Sequence, residues 1–349
     1  MTVFGYTFNR LITWLPGMKF SPTYFSHKLK HRFSTSTIAF GLLLFLCLIF
    51  FSAKSKSANE IVIPINNWAS QQVVSHAIGQ LISERGYEVR YQAISANDQW
   101  GAIQRGFVHF QLEVWQASMA EHFDMMVAAR QIADLGIHDA VGREDWWYPI
   151  YVEKDCPQLP NWQALNECFE LFRDNSELGI YYSGPWNFGD ADIIRALQLK
   201  FEIRRFNRAS DIWQVLNRAN KEVKPVLVLN WSPNWTDVEM KGRFIEFPKY
   251  EPECEYDPEW GINPKMVKDC GNPRGGWIKK AAWVGLEKYD PCVFQFLQVV
   301  NFSNDMLARA SYLYDVEGLP AKEAGSKWLR LYEGKVSTWR QSLLSGQCR

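Results

Sequence analysis

Three tryptophans occupy comparable places along the chain: Trp115 in Leu-Glu-Val-Trp-Gln, Trp186 in Gly-Pro-Trp-Asn, and Trp231 in Leu-Asn-Trp-Ser-Pro-Asn-Trp. Each closes an apolar run that reads as a strand, or opens the loop behind one. A core tryptophan more typically sits mid-element, on a periodic apolar face. Side chains at strand ends are the ones an α/β sheet presents to a small molecule. Several indole faces converging on one point suit a quaternary ammonium, whose diffuse charge makes no hydrogen bonds. Cation–π attraction then contributes about 0.5–2 kcal/mol per ring. Glu113 lies two residues before Trp115 and shares its side of the strand if the chain stays extended. It could supply a full countercharge, or be an edge carboxylate or internal ion pair. Sixteen tryptophans in 349 residues leave enough for both a core and such a cage.

The elements that must position these rings follow from the pattern. Ile61-Val-Ile-Pro-Ile65 is a short apolar strand, and Asn66–Ser70 leads into an amphipathic helix over 71–85 that places Val73, Val74, Ala77, Ile78, Leu81 and Ile82 on one face. A strand at 87–93, a helix near 97–106 and a strand at 107–115 follow. Trp68 and Trp115 therefore both fall at or just after strand ends. The alternation returns with strands at 178–182, 201–206 and 225–231, and helices at 190–199 and 210–220. This order predicts parallel sheets with helices on their faces. Residues 248–277, rich in Pro, Gly and Cys, read as irregular, and helices return over 291–339.

A formal net charge of zero hides an asymmetry. Residues 1–58 hold seven Lys/Arg and no Asp or Glu, which leaves 31 basic against 38 acidic residues for the remainder. An acidic globule is a poor partner for nucleic acid. Thr37–Ala53 is uncharged and follows the basic cluster His27–Arg32, so 1–36 reads as a basic cytoplasmic leader and 37–53 as a membrane anchor or signal-peptide core, with the globule outside. Apart from Cys47, six cysteines remain. In an extracytoplasmic domain they suggest disulfides, with fifteen connectivities open; pairing sequence neighbours gives Cys156–Cys168, Cys254–Cys270 and Cys292–Cys348. No His or Cys spacing suits a metal, and no cofactor fingerprint is present.

An enzyme needs a reacting group, and neither a nucleophile elbow, a P-loop nor HExxH occurs. The histidines at 76, 109, 122 and 138 lack ligand spacing and read as satisfied surface or core residues. The enzymatic rival is a carbohydrate-active site, because tryptophans also stack on sugars and Glu113 could pair with Asp190. Asp190 fits a helix N-terminus equally well.

The whole stretch from Ile61 to about Trp339 resembles the glycine betaine/proline betaine/choline family of ABC-transporter substrate-binding proteins. The resemblance is carried by residues 61–87, Leu112-Glu-Val-Trp115, Gly184-Pro-Trp186 with the helix at 190–199, Lys224–Trp235, and Asp315–Trp328. It implies a two-lobed, type II periplasmic-binding-protein fold. Each lobe would be a mainly parallel sheet flanked by helices, with a hinge and a cleft between them: 59–153 and 274–349 as lobe 1, and 154–273 as lobe 2. It further implies an aromatic box of Trp115, Trp186 and Trp231, with Trp68 as a fourth wall, and a membrane permease and ATPase as partners. The location would be periplasmic, with the protein either anchored or released. A membrane-tethered sensor for the same ligands is the alternative. The leader is longer than a standard export signal, and the segment 254–270 exceeds the simplest members.

Overall fold

The computed structural model describes residues 60–186 and 188–345. The leader at 1–36 and the apolar run at 37–53, read as a membrane anchor or signal-peptide core, lie outside them; among the described residues no helix is long and apolar enough to cross a membrane.

The chain alternates as the pattern predicts: β1 (Glu60–Ile65), α1 (Ala69–Ser83), β2 (Glu88–Ala93), α2 (Gln99–Gln104) and β3 (Phe110–Trp115). Val73, Val74, Ala77, Ile78, Leu81 and Ile82 form the buried stripe of α1. β1 and β2 pair in parallel, and the His109 N–H donates to Val62 O at 2.8 Å, which joins β3 to β1. Next come α3 (Gln116–Ala128), β4 (Ile132–Pro149), α4 (Ala164–Cys168), β5 (Gly179–Ser183), α5 (Asp190–Ala196), β6 (Phe201–Arg205), α6 (Ala209–Glu222), β7 (Leu227–Ser232), α7 (Thr236–Glu239), β8 (Gly242–Phe244) and β9 (Gly276–Trp283). Helices α8 (Leu286–Tyr289), α9 (Pro291–Val299), α10 (Asn304–Asp315), α11 (Ala321–Leu331) and α12 (Glu333–Ser345) close the fold.

The sheet is mixed, where the alternation suggested mainly parallel strands. β5 pairs in parallel with β6 and β7, but β9 runs antiparallel to both β3 and β4, and β4 runs antiparallel to β7 and β8. The long strand β4 is the reason. Residues 132–142 pair with β9; from Arg143, opposite Ser232, the same strand pairs with β7. One continuous strand therefore belongs to both halves of the sheet and changes partners at Gly142–Arg143. The pattern did not reveal it, because over 137–144, where the strand changes partners, its inward residues are His138, Ala140, Gly142 and Glu144, while Ile137 and Val141 face solvent. His138 is core: its ring bonds Leu112 O at 2.8 Å, and Nδ1 accepts from the Phe302 N–H at 3.0 Å. Burial lowers its pKa to about 3, which keeps the ring neutral.

Two of the expected disulfides are formed, Cys156–Cys168 and Cys254–Cys270, with Cα–Cα distances of 6.0 and 6.3 Å. The second closes the irregular segment before β9, where Asp269 also accepts from the Asn263 N–H. The third expected pair cannot be placed, since Cys348 lies outside the described residues.

Candidate functional site

Four strand-end tryptophans meet around one cavity. Trp68 immediately precedes α1; Trp115 ends β3 and precedes α3; Trp186 lies in the loop between β5 and α5; Trp231 is near the end of β7. Trp186 meets Trp68 edge to face at 6.4 Å and Trp231 at 5.4 Å. Phe188, Met119, Ser118 and Glu144 complete the lining, and the empty space, counted to its open mouth, is about 280 Å³. All four indoles are nearly buried, so their faces meet the cavity rather than bulk water.

Two glycines let the rings come this close. A Cβ on Gly142, where β4 changes partners, would stand 3.0 Å from Trp115 Cε3. One on Gly184 would collide with the Trp186 ring, which folds back over it.

Glu113, expected to face the ligand, stands behind the walls. It is fully buried and does not line the cavity. Its Oε2 accepts from Trp68 Nε1 at 2.8 Å, Ser70 Oγ at 2.9 Å and Trp115 Nε1 at 3.1 Å. Burial raises its pKa to about 7 against the pull of these three donors. The two-residue spacing does bring Glu113 and Trp115 to one side, but the indole N–H rather than the ring face meets the carboxyl, which leaves Glu113 behind the ring; β3 departs from regular pairing between Gln111 and Val114. Gln111 Oε1 takes up the Leu112 and Glu113 N–H groups there.

The carboxyl that does reach the cavity is Glu144, which the sequence reading missed. Arriving from β4, it accepts from Ser118 Oγ at 2.9 Å and from the Ala117 and Ser118 N–H groups in the first turn of α3. Those donors favour the charged form, as a helix N-terminus does. Burial outweighs them and raises its pKa to about 8. The carboxyl that faces the indoles therefore sits where its protonated form is favoured. Phe188 was missed too, although its place beside Trp186 in one loop was the available signal.

Asp190 lies elsewhere. Its Oδ1 accepts from Trp146 Nε1 at 3.0 Å and its Oδ2 from Ser183 Oγ at 3.1 Å, at the start of α5 and away from the cavity lining. The carboxylate pair that a glycosidase needs is thus not assembled in this pocket. Among the described residues no cluster of His, Cys, Asp or Glu is placed to hold a metal ion.

A mixed sheet in two halves, joined by a shared strand and enclosing an aromatic cavity, defines a two-lobed α/β solute-binding protein of the type II periplasmic class. Two solved structures share the fold: a choline-binding protein of an ABC transporter in complex with choline (TM-score 0.65, 15% identity, 82% of this chain and 93% of that one), and a glycine betaine, L-proline ABC-transporter binding protein from Borrelia burgdorferi (TM-score 0.64, 15% identity, 80% and 96%). Residues 59–331 match the family described as the substrate binding domain of ABC-type glycine betaine transport systems, and the chain belongs to that family. It is also similar to a trimethylamine N-oxide-binding protein of Pelagibacter ubique (strain HTCC1062), with 31% identity over 301 residues, 82% of this chain and 93% of the relative.

Proposed function

We propose that this chain captures a small methylated ammonium compound in the cage of Trp68, Trp115, Trp186 and Trp231, with no catalytic step. The observation that carries the proposal is the convergence of four indoles and one carboxyl on a single small cavity. The rings provide cation–π attraction to the methylated head. Glu144, whose burial favours the protonated form, can then donate a hydrogen bond to an oxygen attached close to that head. This favours trimethylamine N-oxide over choline, whose hydroxyl is a weaker acceptor and lies two carbons away. The similarity to an N-oxide-binding relative points the same way.

The two halves would close over the ligand about the crossing at Gly142–Arg143 and the paired Gly276, so that residues 143–153, paired with β7 and β8, move with 154–273 rather than with the other half. The liganded form would then be handed to a membrane permease energised by an ATPase. The domain would be held outside the cytoplasm by residues 37–53 or released after cleavage. Calorimetric titration of the full chain with trimethylamine N-oxide, choline, glycine betaine, carnitine and dimethylsulfoniopropionate tests this. Trimethylamine N-oxide should bind most tightly, with a Kd on the order of micromolar, about −8 kcal/mol. A chain that bound none of the five would refute the proposal.

A further inference from the structure

Behind the cage lies a polar arrangement that no ligand could touch. One oxygen of Glu113 receives three donors, two of them indole N–H groups from walls 47 residues apart in the chain, Trp68 and Trp115. The other oxygen is buried without a hydrogen-bond partner. A carboxyl group so completely removed from water carries a large desolvation cost, and holding a fold together does not by itself require an acid there. What sets the location apart is that both donors are cage walls. A hydrogen bond at Nε1 fixes the rotation of an indole about its side-chain bonds, so a single atom sets the angle of two walls at once. An acceptor at Nε1 also polarises the ring and makes its face more negative, the property a cation senses.

We propose that Glu113 is a positioning residue of the cage: its carboxyl group aligns Trp68 and Trp115 through their indole N–H groups and, when ionised, biases both ring faces toward cationic ligands. This rests on the cavity being a methylammonium site. It makes Glu113 act through the walls, while Glu144 meets the ligand itself. The bias toward a full cation and the hydrogen bond from Glu144 then serve different parts of the ligand, the methylated head and its oxygen.

The test compares E113Q and E113L with wild type at pH 8.5, where Glu113 is ionised, using tetramethylammonium as a full cation and trimethylamine N-oxide as a net-neutral probe. E113L removes the acceptor and should weaken both probes by about tenfold or more, with a shifted tryptophan emission in the unliganded protein. E113Q keeps an acceptor oxygen but not the charge. It should bind the N-oxide within about twofold of wild type and tetramethylammonium about three- to tenfold more weakly. The ratio between the two probes is a readout that a merely structural role would not move. An unchanged ratio in folded E113Q, or wild-type binding of both probes by E113L, would overturn the proposal. If E113L fails to fold, the E113Q ratio decides alone. A wild-type protein that binds neither probe would overturn the functional assignment along with it, whereas wild-type binding with an unchanged ratio would remove only the role of Glu113.

Discussion

Trp68 and Trp115 are held from behind, through their indole N–H groups, by a buried carboxyl group; Trp186 and Trp231 hold each other edge to face at 5.4 Å, and Trp231 leans on Trp213 at 5.1 Å. The first pair is fixed by directional bonds to one atom, the second by ring packing. Directional bonds resist rotation of a ring, whereas packed rings move when a neighbour is removed. The cage thus has a stiff side and an adaptable side. Arg205 steadies the adaptable one only through the carbonyls of Gly184 and Trp186, at 3.3 and 3.2 Å.

Truncation should break the comparison most visibly. Trp186→Ala and Trp231→Ala are each expected to cost on the order of 1–3 kcal/mol of ligand affinity, measured by calorimetry. Each removes a wall and loosens its packed neighbour, so the double variant should lose less than the sum. Trp115→Ala combined with Trp231→Ala, from opposite sides of the cage, should come closer to additive.

The carboxyl groups give the next effect. The pKa of Glu144 is raised to about 8 and that of Glu113 to about 7, from an ordinary 4.5. A folded-state value above the unfolded one means that the fold favours the protonated form. This stabilisation is full below pH 4.5 and is lost as pH rises through 7 to 8. Thermal melts should therefore show stability falling between pH 5 and pH 9, by an amount on the order of a few kcal/mol, and E144Q should flatten the upper part of that fall. Trimethylamine N-oxide affinity should fall over the same upper range as Glu144 loses the proton it donates; an affinity that rises instead would assign Glu144 the role of countercharge.

The smallest effects come from the glycines. Gly184→Ala drives a methyl into the Trp186 ring, on the adaptable side, and should weaken binding several-fold, by about 1 kcal/mol. Gly142→Ala meets Trp115 at 3.0 Å, a milder contact against a tethered ring. Its expected loss is smaller, and a larger one would reverse the ranking of the two sides.

Much of this was legible in the chain. The parallel units around β1, β2, β5, β6 and β7 follow from apolar runs separated by amphipathic helices, and the four tryptophans stood out because each falls at a strand end. What stayed hidden shares one cause. Glu144 sits on β4, whose inward residues over 138–144 are polar or small, so no apolar periodicity marks that stretch or the direction in which its carboxyl points. Glu113 was visible on the side of Trp115, but the pattern could not show that the indole N–H, and not the ring face, meets its carboxyl. Irregular backbone and buried polar residues escape pattern reading, and both occur here at the cavity.

The most direct test follows the methyl protons of trimethylamine N-oxide by NMR as the full chain is titrated. A head group enclosed by four indoles must feel their ring currents, so the bound methyl signal should move upfield. The shift should shrink in Trp186→Ala and Trp231→Ala. A ligand that binds with its methyl resonance unmoved would place it outside the cage.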